Sequence, residues 1–426
     1  MRKSKPLAGA LAMVLGMLFA CTPAGGGDEN PSDVVVALPA DNPGDIALRS
    51  RLAKQFMKDN PDIDVKVQVI PSNGYNEKIF TTVAAGNPPD IFNSGDIIIP
   101  TIVSKNYALD LTKFIQEDDY DVSAFYPEVI EGLTFENKIV GLTDNWDTQV
   151  MYYNRDLFDK AGLDYPDGSW TWDDFKSAAR TLTSGEGPKK IFGAVHGYWF
   201  APVFDQIWAN GGEIFSKDQT ECLLDRPEAV EAVQSIADLA KEGVIPTEQQ
   251  LEGQGPNQFL LAGRAAMAID AGRWAAFELL DGNVDWAAAP IPKGTEGRAN
   301  FFHLSMYAIT RNSDSPDNAW QFLKYMVSPE AIKLAVEDMQ GIPSRPSLAT
   351  GPAFKNNDLV KQHDALEPFL ESLPTAHKAP YVPNFEEYNN TIDGGLDPVW
   401  TREETAAEAL PKICERVEEQ IAENAK

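Results

Sequence analysis

From Asp33 the chain runs Val34-Val35-Val36-Ala37-Leu38 with no polar interruption, the pattern of a strand buried on both faces. Asp45 to Asn60 follows with its apolar residues at helical spacing, turning Ile46, Leu52, Ala53 and Phe56 inward. Ile63 to Val69 then alternates apolar and polar with period two, as a half-buried strand does. A second helix is predicted from about Tyr75 to Ala85, then the breaker Asn87-Pro88-Pro89 and a short strand, Asp90-Ile91-Phe92. This alternation predicts an α/β architecture with a mainly parallel sheet flanked by helices. In such sheets ligands meet the loops at the carboxyl ends of the strands, here residues 39–44, 71–74 and 93–96. Further on, Val150 to Asn154 is strand-like. Thr171-Trp172-Asp173-Asp174 opens a helix as a variant of the capping box, with Phe175, Ala178, Ala179 and Leu182 on one face. Ser315-Pro316 and Ser328-Pro329 each set an N-cap before a helix-opening proline, and the chain is helix-rich from Ser315 to its end.

Ahead of the first strand lies a different pattern. Arg2, Lys3 and Lys5 precede an apolar run from Leu7 to Phe19, the length of a secretory signal and too short to span a bilayer. Leu18-Phe19-Ala20-Cys21 looks like the lipobox at which such a leader is cut and the new N-terminal cysteine lipidated, and Thr22-Pro23-Ala24-Gly25-Gly26-Gly27 reads as a flexible tether. The expectation is a signal peptide at 1–20, a tether at 21–32, and a protein held by lipid on Cys21 on the extracellular or periplasmic side of a cell membrane. The pattern fits Gram-positive and Gram-negative envelopes alike.

Composition changes this picture in three respects. A chain of 426 residues with 43% hydrophobic content exceeds what one core usually organises, so two lobes are expected. Its net charge is −28, and −31 once Arg2, Lys3 and Lys5 leave with the leader, which disfavours nucleic acid and anionic membrane surfaces as partners. Cys222 and Cys414 remain after Cys21 is lipidated. They suit a disulfide in an oxidising compartment, while Cys414 equally fits a buried stripe with Leu410, Ile413, Val417 and Ile421. Two cysteines and four scattered histidines show no metal-ligand spacing, and nothing calls for a cofactor.

Several segments, in order, resemble the saccharide-type extracellular solute-binding proteins of ABC importers, which include the maltose-binding proteins. Gly141-Leu142-Thr143 leads through a variable loop to Met151-Tyr152-Tyr153-Asn154-Arg155-Asp156-Leu157-Phe158, then Ala161-Gly162-Leu163 and Trp170-Thr171-Trp172-Asp173-Asp174-Phe175. Phe259 to Met267 with Gly272-Arg273-Trp274, Ala319 to Met326, and Gly341-Ile342-Pro343-Ser344-Arg345 continue the series. The resemblance covers essentially the whole mature chain. It implies a two-lobed periplasmic-binding-protein-like fold joined by hinge strands, with lobe I formed by 33–148 and 304–350 and lobe II by 149–303 and 351–426. The implied function is delivery of a saccharide to the permease subunits of an ABC transporter by a monomer that touches the bilayer through its anchor alone. No chemistry is required of it.

A sugar ring has apolar faces and hydroxyl edges, so its receptor needs aromatic platforms and planar polar side chains. Trp146 and Asp147, with Asn145, occupy the family's ligand-contacting loop before the crossover strand, and Trp274 matches a family position that stacks on sugar. Asp96 corresponds to a hydroxyl-accepting position, and Arg345 follows the turn that reaches the cleft. Trp199 in Gly197-Tyr198-Trp199-Phe200 is a further platform, while Asn42 and Tyr75 come from loops at the sheet's ligand edge, and His303 is a weaker candidate. Two other readings stand beside this one. The same fold can carry a polyamine or a peptide, which excess cleft carboxylates without aromatic stacking would favour. A lipid-anchored glycoside hydrolase would need two carboxylates flanking a scissile bond, and among 64 Asp and Glu residues some pair is always available, so their presence decides nothing.

Overall fold

The computed structural model describes residues 33–41, 43–251, 253–270, 272, 284–337, 341–363 and 365–424. Cys21 with its leader, Asn42 and Trp274 lie outside the described residues. The strands are β1 Asp33–Pro39, β2 Asp64–Ile70, β3 Ile91–Gly95, β4 Thr134–Phe135, β5 Lys138–Ile139, β6 Asn145–Thr148, β7 Val150–Asn154, β8 Val195–His196, β9 Met267–Ile269, β10 Trp286–Pro290, β11 Asn300–Ile309, β12 Ile342–Pro343 and β13 Ala376–His377. The larger sheet has the order β12-β6-β11-β3-β1-β2 with β13 beside β11, and a second sheet has the order β10-β7-β9-β8. β4 and β5 form a separate hairpin.

The expected strand and helix patterns at the start of the chain are all present. Val34, Val36, Ala37 and Leu38 are fully buried in β1, and helices cover Pro43–Asp59 and Tyr75–Ala85. The parallel ladder is narrower than the alternation suggested. β1 pairs in parallel with β2 and β3, and β8 with β9, but β11 runs antiparallel to both β3 and β6, and β7 is antiparallel to β9 and β10. Both sheets are therefore mixed. The reason is topological: strand–helix–strand units return the chain to the same end of a sheet, whereas β11 enters the larger sheet through the connection 291–299 from β10 of the other sheet, and so meets β3 from the opposite end.

β6 ends at Thr148 in the larger sheet and β7 begins at Val150 in the smaller one, so a single residue separates the two sheets at this point. Gly272 abuts the crossing; a Cβ there would stand 2.3 Å from the Thr148 carbonyl oxygen, a distance only glycine avoids. Around the larger sheet, the helix Pro43–Asp59 packs on the helix Pro316–Met326 through Phe56, whose ring centroid is 5.1 Å from Phe322 and 5.4 Å from Tyr325. The same helix carries a fully buried Arg49, which donates from Nε to Asp45 and to the Tyr307 hydroxyl and from Nη2 to Asp144 at 2.7 Å. Burial opposes the charge, yet Asp144 and Asp45 outweigh it and hold the guanidinium above its usual pKa. The network thus fastens the first helix to the residue preceding β6 and to β11.

The smaller sheet is wrapped by the helices Trp172–Leu182, Phe200–Ala209, Pro227–Glu242, Phe385–Trp400 and Ala406–Asn424. Thr171 and Asp174 make the full reciprocal capping box that the sequence indicated. Cys222 and Cys414 form a disulfide with Cα atoms 5.1 Å apart, and both are also buried, so the final helix is stapled to the core it covers. Among the described residues no helix is long and apolar enough to cross a membrane.

Candidate functional site

Three polar or aromatic side chains from different parts of the chain meet where the two sheets approach. β3 delivers Asp96 just past its carboxyl end, as expected of an α/β sheet. β11 presents His303, whose Nδ1 lies 3.0 Å from Asp96 Oδ2. From the smaller sheet, β8 leads through Gly197 to Trp199, which has extended backbone and caps the helix Phe200–Ala209. Its indole stacks on the His303 ring at 6.0 Å between centroids and 29° between planes. The indole Nε1 donates to Asp270 Oδ1 at 2.9 Å, and Asn257 donates to Asp270 Oδ2 at 3.3 Å. Gly197 is needed here, because a Cβ would stand 2.8 Å from Asp270 Oδ1 and 2.9 Å from the indole nitrogen.

Burial opposes the charge on His303, but the hydrogen bond it donates to Asp96 and the negative charges of Asp96 and Asp147 outweigh it, so its pKa is raised above the usual imidazole value. The cluster therefore sets an imidazole against the Asp96 carboxylate with an indole stacked on its ring.

Cavities open on both flanks. One of ≈ 950 Å³ is lined by Trp199, Asp270, Glu248, Gln254, Thr401 and Glu403 among others. The other, of ≈ 210 Å³, is lined by Asp96, Phe135, Phe302, Lys378 and Tyr381. Phe135 and Tyr381 stack at 4.8 Å and 29°, forming a second aromatic surface. Phe135 is carried by the β4–β5 hairpin, whose turn residues Glu136 and Asn137 both take positive φ. A further cavity of ≈ 350 Å³ between Trp172, Gln206 and Lys293 shares no lining residue with this cluster.

Of the residues singled out in the sequence, Asp96, Trp199 and His303 are brought together. Asp147 stands beside them, 5% exposed, with Oδ1 accepting from the Thr148 amide. Asn145 is half-buried and donates to Asp144 Oδ1 at 2.8 Å. Trp146 is corrected: the segment expected to be a loop is strand β6, held between β11 and β12, and its alternation sends the indole into the core. There it is 0% exposed, 5.5 Å from the Tyr126 ring, with Nε1 donating to the Pro343 carbonyl. Tyr75 is likewise a core residue, its hydroxyl donating to the Ala37 and Asn93 carbonyls. Arg345 does not reach the cluster. Its guanidinium lies 4.0 Å over the Phe125 ring and donates to the Val327 carbonyl and the Tyr120 hydroxyl. The sequence reading passed over Asp270, Glu248, Glu403, Phe135 and Tyr381. Gly272, two positions after Asp270, and the Glu136-Asn137 turn next to Phe135 were the available signals.

The sequence pattern of the bacterial extracellular solute-binding proteins matches residues 42–333. A galactooligosaccharide-binding protein of Bacillus subtilis is 25% identical over 378 residues, covering 84% of this chain and 83% of the relative. An ABC substrate-binding protein of Listeria monocytogenes, solved in complex with cycloalternan, superposes with a TM-score of 0.82 at 26% identity, covering 92% of this chain and 99% of that one. The sugar-binding protein MalE of Xanthomonas citri superposes with a TM-score of 0.80 at 20% identity, over 92% of this chain and 98% of that one.

Proposed function

We propose that this chain, which belongs to the bacterial extracellular solute-binding proteins, captures a saccharide between its two lobes and hands it to the membrane permease of an ABC importer. The observation that carries the reading is the stacking of Trp199 on His303, which in turn bonds Asp96: an aromatic platform from one sheet meets hydrogen-bonding groups at the ligand edge of the other, with cavities on either side. A pyranose needs these two kinds of group at once. The galactooligosaccharide in the name of the Bacillus subtilis relative and the cycloalternan bound by the Listeria monocytogenes protein support the same solute class.

In this reading the site works by binding alone, consistent with a family of binding proteins. Lobe I comprises 33–148 and 304–350, and lobe II 149–303 and 351–426, with β6–β7, β11 and the segment after Arg345 as the connections about which they close. Closure follows the ligand's greater affinity for the closed form. The leader is removed before Cys21, which carries lipid and keeps the monomer at the membrane surface.

A thermal-shift screen against mono- and oligosaccharides tests the function, because a ligand raises apparent stability in proportion to the logarithm of its concentration over Kd. The expected result is a shift that grows with concentration for at least one sugar and is reduced in Trp199→Ala. A panel without any shift refutes the reading. Mass spectrometry of the native N-terminus tests the anchor: a mature chain beginning elsewhere than Cys21, or lacking lipid, refutes it.

A further inference from the structure

β11 runs between the two halves of the molecule, and its side chains alternate between two faces. Phe301 and His303 share the face of the ligand cluster: the Phe301 ring lies 5.3 Å from Phe200 and 4.8 Å from His303, on which Trp199 stacks. Phe302 and Leu304 face the other way. Phe302 meets the buried Trp146 ring at 6.1 Å, and Phe302 and Leu304 together border the ≈ 210 Å³ cavity. Gly132 is pressed against the same face, where a Cβ would stand 2.3 Å from Leu304 Cδ1 and 3.5 Å from Phe302 Cε1.

Around that cavity, on the face turned away from Trp199, the two halves touch. Lys378 Nζ donates to Glu131 Oε1 at 2.8 Å and to the Glu131 carbonyl at 3.2 Å. Phe135 stacks on Tyr381, and the Asn384 amide donates to Thr101 Oγ1 at 3.1 Å. The first two pairs join different cores. Ile130 and Ile139, next to Glu131 and to the Phe135 hairpin, pack with Val34, Val36 and Tyr307 of the larger sheet. Ala379, Val382 and Phe385 pack instead with Met151 and Met267 of the smaller one. The cavity behind these contacts, bordered by Ile99, Phe302 and Ala379, leaves the halves joined at a rim and not fused.

Resting on the reading that the lobes close over a saccharide about β6–β7 and β11, we propose that Glu131–Lys378 and Phe135–Tyr381 form a latch that sets the affinity of the site without touching the ligand. Closure on the Trp199–His303 face of β11 is a rotation that spreads the opposite face, so the latch belongs to the open form. A contact made in the open form alone lowers the closed, ligand-competent fraction by its own equilibrium factor, and the apparent affinity falls by the same factor. Removing the latch therefore tightens binding, the reverse of removing a residue that the ligand touches.

Calorimetry on the full mature chain, with maltotetraose and cycloalternan as probes, reads this sign. Phe135→Ala should bind a recognised sugar about two- to tenfold more tightly than the parent, the range for losing one aromatic pair. Lys378→Glu should act in the same direction, and adding Glu131→Lys to it should bring the affinity back toward that of the parent. Both side chains are exposed, so this pair of variants keeps the cores intact and decides the matter if Phe135→Ala is destabilised. Unchanged affinity overturns the latch, and so does weaker binding, the mark of a platform on which the sugar rests. Where neither probe binds, the distance between spin labels at the exposed Lys54 and Lys217 decides, measured on the ligand-free chain with Cys21→Ser. A second distance population that grows in Phe135→Ala/Lys378→Glu supports the latch, and an unchanged distribution overturns it. That readout needs no ligand, so the latch and the saccharide reading fail separately.

Discussion

Replacing both Cys222 and Cys414 by serine removes a crosslink between residues 192 positions apart in sequence. The chain-entropy relation for a loop of this length gives an entropy difference of roughly 18 cal/mol/K, or about 5 kcal/mol at 25 °C. That is an upper figure, since compact denatured chains have less entropy to lose, and a loss of about 2–5 kcal/mol is expected in practice. The loss should be concentrated in the smaller-sheet half, because Cys222 and Cys414 belong to one core, with Phe215 and Val417. The assay is urea unfolding of the oxidised mature protein and of the double variant, with Cys21→Ser in both backgrounds, followed by tryptophan fluorescence and by hydrogen exchange of the helix Ala406–Asn424. Dithiothreitol should bring the parent to the level of the variant and leave the variant where it is. A stability change below about 1 kcal/mol, or one unaffected by reductant, refutes the reasoning.

Trp146→Ala should cost about 3–5 kcal/mol of stability, the range for deleting a fully buried aromatic side chain, whereas Trp199→Ala should cost roughly 1–3 kcal/mol of sugar affinity with the melting temperature nearly unchanged; calorimetry and thermal melts on the two variants separate these effects, and the reverse assignment would contradict the geometry. His303 has a raised pKa, so its contribution to stability is complete below the ordinary imidazole value of 6.5 and is lost as pH rises through the higher folded value. Asp96→Asn should lower the His303 pKa measured by NMR, and an unmoved titration would disconnect the pair. Gly272→Ala places a methyl group against the Thr148 carbonyl and the Asp147 carboxylate, and a loss of about 1–3 kcal/mol in stability together with weaker sugar binding is expected from denaturation and calorimetry.

Local pattern was enough where an element is decided by its own residues. The alternation of Ile63 to Val69 became β2, Thr171 and Asp174 closed their capping box, and the stripe of Leu410, Ile413, Cys414 and Val417 is buried. It failed where a neighbour distant in sequence decides. Trp146 sits amid polar residues, and only its pairing with His303–Leu304 on one side and Ile342–Pro343 on the other turns its indole inward. Arg345 and Tyr75 are polar residues near a ligand edge whose partners, Val327 and Tyr120 for one and Ala37 and Asn93 for the other, satisfy them inside the fold. Asp270, Glu248 and Glu403 converge from segments separated by up to 155 positions, and no short window can reveal that.

The position of β11 has a consequence for how the chain is made. Residues 300–309 fill the middle of the larger sheet, between β6 and β3, so β6 cannot join β1, β2 and β3 until about seven-tenths of the polypeptide has left the ribosome. Until then the N-terminal strands are without their central partner, and pairing them carries the slow kinetics of contacts far apart in sequence. A nascent protein bound for secretion gains from such delay, because an unfolded thread is what a translocation channel admits.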